Sequence, residues 1–473
     1  MPQSMSQETS HLNFDLVNPD KNGGSLQSVR LAKGFEFVFA SLPEDGSNGS
    51  TSPSAAGALA NRIRLFGDPS LQGFQITEVS SGGSVPVLKA QNDSPFDVLL
   101  IAGQLVRGGK QNRGINADAF ICSGKTAQLP VTCVEQGRWS GSSTSGFGFA
   151  GFEPMSVRGG KVRDVAKGMR EGRGHAANQS QVWQEVRSIA EVLQAGNASS
   201  DLLHTLDEIK ARIRRRPSGS GPTPSSGRSE PVTVDGESRA SLDARIDHLR
   251  ITARELAHRL ERALRQDEPD FESQDVSNIR RELDHLLRAL TQLQTRRARL
   301  AAEKADAAGG LAVSEEALAE ANALAARSNG LLVFFEGEFV AGDLFADRSW
   351  FGTLYGELRD SAILSWDAAA RRPRNGEEPR AANAPESSPD ATRRMAESVV
   401  RDALGGTWLD RPTPAHGRTF LLEHPFLESA TVTDGEGNPL HVLLGTRHTP
   451  KSFRTTRAAI QPRPRHDPFR PIE

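Results

Sequence analysis

Two short segments concentrate side chains that recognise anions and amides. One is Gly108-Gly109-Lys110-Gln111-Asn112-Arg113, with Asn116 close behind; the other is Cys133-Val134-Glu135-Gln136-Gly137-Arg138-Trp139. Lys110, Arg113 and Arg138 carry positive charge, and the two guanidinium groups can fork onto a carboxylate or a phosphate. Gln111, Asn112 and Asn116 offer both donors and acceptors. Gly108 and Gly109 let backbone approach a ligand closely. Glu135 is the sharpest single residue. Along Leu129, Val131, Cys133 and Glu135 the period is two, so the carboxylate inherits an apolar face. An inward carboxylate is costly unless paired, and Arg113 or Arg138 is the expected partner. With a raised pKa, Glu135 would serve as a general base, whereas an arginine neighbour would keep it ionised. Against a ligand site stands a buried Glu–Arg clasp joining two strand ends, with Asn112 and Asn116 holding turn backbone. Both readings stay open on residue types alone.

Several standard chemistries are missing. Gly103 to Gln111 approaches a phosphate-binding loop, but its lysine comes one position late and Gln111 replaces the hydroxyl that would hold magnesium. No paired-histidine zinc helix and no strained serine turn occurs. His248, His258 and His285 are spread along a helical stretch, and Cys122 and Cys133 have no local partner that would lower a thiol pKa. No metal is expected, and no cofactor follows from the residues.

The elements that must position these segments read as an α+β protein. Of 473 residues, 37% are hydrophobic, which is low for one compact unit and high for a disordered chain. Paired strands are expected from Arg62 to Trp139, with Ser81-Gly82-Gly83-Ser84 as a hairpin turn and Ala102-Gly103 as another. Gly46–Gly57 and Gly137–Gly151 read as loops. Asn178 should cap a helix carrying Val182-Trp183, and Ser314 another. Strands recur at Leu331–Phe335, Glu338–Ala341 and between Thr419 and Leu444, with helices over Trp350–Trp366 and Met395–Leu404. Leu242, Ile246, Leu249, Ala253, Leu256, Leu260 and Ala263 are spaced four and three apart, and Ile279 to Leu300 repeats the pattern after a break containing Pro269. This predicts an antiparallel coiled-coil hairpin. The expected fold is therefore a β-rich sandwich or barrel-like body with flanking helices and that hairpin inserted. Its parts are a disordered tail (1–25), the N-terminal part of the body (26–206), a linker (207–239), the coiled-coil insertion (240–312), an α+β part completing the body (313–450) and a disordered basic tail (451–473).

The two site segments carry a family resemblance. Lys110-Gln111-Asn112-Arg113 and Val131 to Trp139 resemble a bacterial family, the ARG and rhodanese-phosphatase-superfamily-associated protein domain. The likeness continues through Gln179 to Val186 and resumes at Gly342-Asp343-Leu344-Phe345, the helix around Ser361 and the strand containing His441, covering roughly residues 60–205 and 313–445. The resemblance implies a role near ADP-ribose, nucleotide or RNA-repair metabolism and brings no established catalytic residues. It also implies acids flanking Gly103, where this chain has Ala102 and Gln104.

Two functions from different classes follow. One is binding or processing of an anionic, nucleotide-like small molecule by Lys110, Gln111, Asn112, Arg113, Asn116 and Arg138, with Glu135 as catalytic base. The other is a non-enzymatic scaffold that uses the coiled coil to recruit a protein partner or a second copy. A net charge of −2 gives no overall field for nucleic acid, and the basic tail around Arg463, Arg465 and Arg470 lacks an aromatic platform. No apolar run is long enough to span a bilayer, no signal peptide is evident, and two cysteines cannot form a disulfide framework. A cytoplasmic setting is expected.

Overall fold

The computed structural model describes residues 12–15, 17–19, 24–41, 55–136, 146–193, 195, 201–214, separate positions within 245–293, 313–371 and 388–453. In chain order the strands are β1 (Ser25–Ala32), β2 (Phe35–Ser41), β3 (Ile63–Leu65), β4 (Phe74–Glu78), β5 (Val87–Asn92), β6 (Asp97–Leu100), β7 (Gln104–Arg107), β8 (Arg113–Ile115), β9 (Ala119–Ile121), β10 (Lys125–Cys133) and β11 (Gly148–Phe152), followed by β12 (Gly330–Phe335), β13 (Glu338–Phe345), β14 (Thr407–Arg411), β15 (Arg418–Glu423), β16 (Leu427–Thr433) and β17 (Pro439–Thr446). The helices are α1 (Ala55–Arg62), α2 (Met155–Arg170), α3 (Gln179–Val192), α4 (Leu202–Arg214), α5 (Glu315–Ala325), α6 (Arg348–Arg371) and α7 (Pro389–Leu404). The α+β class expected from the sequence is observed.

The chain divides into two compact units: Met1–Leu193 with Val313–Glu473, and Gln194–Ala312. In the first, an antiparallel sheet runs β1-β2-β12-β13-β17-β16-β15-β14. A second runs β11-β7-β8-β10-β5-β4, and a third, β3-β6-β9, begins with a parallel pair. Strands from both ends of the chain thus share one sheet, because β2 pairs with β12 from Ala40↔Gly330 to Phe35↔Phe335. Both strands are buried on both faces, as their nearly unbroken apolar sequences require. Phe35 and Phe335 meet Trp366 of α6, with ring centroids 5.6 and 5.3 Å away. In the smaller sheets, Leu88, Val98, Val106, Ile115, Leu129 and Val131 share one core.

Helix α2 matters most for the site. It packs on β13, β16 and β17 and against α3 and α6. Pro154 precedes it and offers no side-chain cap, so Ser365 of α6 accepts the Met155 N–H at 2.6 Å instead. The helix was missed in sequence because Gly159, Gly160 and Gly168 weaken its propensity and Arg158 and Lys161 interrupt its apolar face.

Other local expectations are corrected as well. Phe14 and Val17, placed by sequence in a polar tail, are buried, and Phe14 packs on Trp408 at 5.2 Å. Helix α1 starts inside the expected Gly46–Gly57 loop, and β11 inside the expected Gly137–Gly151 loop, where it pairs with β7. Helix α4 extends into the expected linker. Lys451–Phe453 forms a 3-10 turn with Ser452 and Phe453 buried, so the C-terminal tail does not start at 451; residues 454–473 lie outside the described residues.

In the second unit, α4 buries Leu202 and Leu203. The described positions of 245–259 and 276–293 are helical, and Ala253, Leu256 and Ile279 are buried. The other positions of the expected coiled coil, and most of the expected linker, lie outside the described residues. Among the described residues no helix is long and apolar enough to cross a membrane.

The ring cluster at the shared sheet gives a stability prediction. Phe335→Ala should cost about 3–5 kcal/mol, since it empties a fully buried site. Phe426→Ala, at a side chain 69% exposed, should stay within about 0.5 kcal/mol. Urea titration of both variants checks the contrast.

Candidate functional site

The two segments singled out by sequence do meet. Strand β8 pairs with β10, with Arg113 opposite Cys133, so the turn before β8 lies beside the end of β10. Gly109 has φ +48 and its missing Cβ would strike Phe147, so this turn needs glycine there. From it, the Gln111 amide donates to the Glu135 carbonyl at 3.0 Å, and the Asn112 backbone N–H donates to Glu135 Oε2 at 3.1 Å. The Val134 N–H returns to the Asn112 carbonyl at 3.1 Å. Arg113 Nη1 donates to Gln111 Oε1 at 3.3 Å, and the Asn112 side chain accepts the Gly108 N–H at 3.3 Å. Gln111, Asn112, Arg113 and Glu135 are all buried, while Lys110 is half-buried with its backbone N–H on Glu78. Helix α3 secures the end of β10 from outside: Gln179 bonds both the N–H and the carbonyl of Cys133, at 2.9 and 2.6 Å.

Asn116 faces elsewhere. It accepts from Thr132 Oγ1 at 2.7 Å and donates to the His175 carbonyl at 3.1 Å. Arg138 lies outside the described residues. Gln104, where the resemblance implies an acid, closes its own turn: it accepts the Ile101 N–H at 2.9 Å and donates to the Phe66 carbonyl at 2.7 Å. Cys122 and Cys133 are free thiols, and burial pushes both pKa values up.

A second constellation was not assembled from sequence. His441 of β17 is completely buried between two carboxylates. Its Nδ1 lies 2.6 Å from Asp118 Oδ2, and its Nε2 3.0 Å from Asp343 Oδ1. Asp343 is gripped from the other side by Arg158 of α2 through two bonds of 2.7 and 2.5 Å. Arg158 Nε donates to the Ala102 carbonyl, and the Ala102 N–H donates to Asp118 Oδ1, both at 2.8 Å. The result is a closed polar ring that joins β13, β17, α2 and the β6–β7 turn. Gly103 is a condition of the ring: its φ is +88, and a Cβ there would come within 2.7 Å of the Arg158 side chain.

Beside the ring sits a buried pair. Lys161 Nζ lies 2.7 Å from Glu153 Oε1 and 3.0 Å from the Ile115 carbonyl. A Cβ at Gly114 would collide with Glu153 at 1.8 Å, so glycine is required opposite the pair. Burial pushes Glu153 up and Lys161 down, in each case against the partner's attraction, so both are drawn toward their neutral forms.

Electrostatics in the ring run the opposite way. Burial would lower the His441 pKa, but the Asp118 and Asp343 carboxylates override it and push it up to about 9. Burial would raise Asp343, yet Arg158 and His441 hold it well below the usual carboxylate range. Two cations thus sit among two carboxylates, and both ring nitrogens of His441 donate. Asp343 and His441 lie in segments where the sequence reading expected the family resemblance to resume; Arg158 and Asp118 gave no signal, because a charge on an apolar face is legible only once its partner is known. Among the described residues no group of three or more His, Cys, Asp or Glu is placed to hold a metal.

Fold and site define an α+β protein with two buried polar clusters, the Gln111–Glu135 turn and the His441 ring, whose members are bonded to each other and to backbone. Residues 63–224 match the family model described as ARG and Rhodanese-Phosphatase-superfamily-associated Protein domain, so the resemblance drawn from the two motifs is found over that stretch. No curated protein and no solved structure matches the chain.

The ring predicts a pH dependence. The folded-state pKa of His441 lies above its ordinary 6.5, so its stabilisation is complete below that value and is lost as pH rises through about 9. The interval corresponds to at most about 3 kcal/mol. Asp343 acts in reverse, stabilising above its ordinary 3.8 and losing its contribution in strong acid. Urea titrations between neutrality and alkaline pH should show the wild type losing stability, with a flatter profile in His441→Gln. Arg158→Met, which leaves Asp343 buried without its main partner, should cost about 3–5 kcal/mol at neutral pH.

Proposed function

We propose that the chain binds or processes a small anionic, nucleotide-like molecule of the ADP-ribose, nucleotide or RNA-repair class at the Lys110–Arg113 turn. The observation that carries this reading is the meeting of two distant loops, the Gln111 amide and Asn112 N–H both reaching Glu135. Lys110 is half-buried, and with the buried Gln111 amide and Arg113 guanidinium it supplies the donor types that anions require. Glu135 is the base candidate for a processing step. In this reading the protein works in a reducing cytoplasm, consistent with two free thiols.

A scaffold role has support of its own. Ala253, Leu256 and Ile279 are buried at heptad positions of helical backbone, as a coiled-coil hairpin over 240–312 would have them. Such a hairpin would recruit a protein partner or a second copy. Deleting residues 218–312 and measuring mass in solution distinguishes this role, since an unchanged monomer counts against it.

Calorimetric titration of the full-length protein with ADP-ribose and ADP tests the first reading. Wild type should bind saturably, and a Lys110→Ala, Gln111→Ala double variant should bind about tenfold more weakly or worse. Absence of saturable binding by the wild type, or equal affinity in the variant, would overturn it. If binding occurs, loss of turnover with retained affinity in Glu135→Gln would assign the base.

A further inference from the structure

A cavity of about 440 Å³ lies between α2 and α3, with Thr449 and Phe453 also among its lining residues. It is separate from the Lys110–Glu135 turn and large enough for a small metabolite. Four of its features decide what it can hold. Arg163 lines it and, among the described residues, makes no hydrogen bond and no ion pair. Its guanidinium lies over the bare backbone of Gly159 and Gly160, where added Cβ atoms would stand 3.5 and 3.9 Å from its terminal nitrogens. Asp164, the next residue and also a lining residue, spends Oδ2 on the Asn178 N–H at 3.1 Å. Val157 and Val182 give the wall an apolar patch.

Lys161 also lines the cavity, but its ammonium is turned toward β8 and spent on Glu153 and the Ile115 carbonyl. Among the described lining residues the other cation is Arg163, and the carboxylates whose field acts on it are Asp164, Glu428 and Glu185. Burial nevertheless dominates and lowers its pKa, as expected of a guanidinium that has lost water without gaining a contact partner. Glu428 is already held by Arg170 and Arg447 and is not a lining residue, so the carboxylate that shares the wall next to Arg163 is Asp164. A polyanion would bring two or more negative charges against one guanidinium and the adjacent carboxylate. A molecule carrying one charge of each sign suits the wall better, since a carboxylate completes the arginine fork while an ammonium faces Asp164.

We infer that the α2–α3 cavity binds a small zwitterion of the α-amino-acid type, its carboxylate forked on Arg163, its ammonium against Asp164 and an apolar side chain on Val157 and Val182. Calorimetry on the full-length protein with L-leucine, L-leucinamide, N-acetyl-L-leucine and inorganic phosphate tests this. L-Leucine should bind saturably, and the two capped forms, each lacking one charge, should bind about tenfold more weakly or worse. Arg163→Gln should abolish binding, and Asp164→Asn should weaken it by about fivefold or more. Should Arg163→Gln fold poorly, Arg163→Lys keeps the charge, removes the fork and must still weaken binding by about fivefold. No saturable binding of L-leucine, equal binding of either capped form, tighter binding of phosphate, or full affinity in Arg163→Lys would each overturn the proposal.

Discussion

Arg158 cannot be buried without Asp343, and Asp343 cannot be buried beside His441 unless both accept the same charge balance. Four ionisable groups are taken out of water at once, at positions scattered from Asp118 to His441 along the chain. Each alone would cost several kcal/mol. Together they are tolerable only when every bond in the ring is made, so the arrangement is all-or-none. It selects one docking of α2 on the sheet, one conformation of the turn at Gly103 and one placement of Asp118. The Glu153–Lys161 pair beside it works on the same terms, with Gly114 clearing its space.

This distribution of polar groups bears on the functional readings. The Gln111, Asn112 and Arg113 side chains are bonded to one another and to backbone, and Glu135 holds the opposite loop in register. A ligand reaching this turn would meet a rigid surface set before it arrives, which lowers the entropic cost of binding. The α2–α3 cavity differs, because its arginine keeps its bonding capacity unspent. One face of α2 is thus committed to holding the fold through Arg158 and Lys161, while Arg163 lies on the side that lines the cavity with α3.

How much of this could be read in advance depended on whether a signal was local. The Ser81–Ser84 hairpin, the caps at Asn178 and Ser314, the β12–β13 hairpin and helix α6 were legible because short-range periodicity and turn chemistry specify them. The inward direction of Glu135 was legible from alternation, and the contact between its loop and the Lys110–Arg113 turn came with the strand pairing. Helix α2 was not, since three glycines and two inward cations erase its amphipathic pattern. The His441 ring was invisible for a related reason. Its members carry no spacing rule, and their meaning depends on partners up to 323 residues away. The expectation of a loose N-terminus failed at Phe14 and Val17, which are buried, Phe14 against Trp408.

The shared sheet has an outcome on the ribosome. Hairpin β1–β2 leaves the tunnel early with Phe35, Phe37 and Phe39 alternating along one strand, yet the edge that receives it is not made until β12 appears. The Ser41–Ser328 contact across that junction spans 287 positions. At about 5–20 residues per second, the gap lasts on the order of 15–60 s. During that interval a phenylalanine-rich strand edge stands unpaired, which is the kind of surface that sticks to other nascent chains. Holdase capture of the amino-terminal hairpin would bridge the delay, and slowing translation between the two halves would lengthen it.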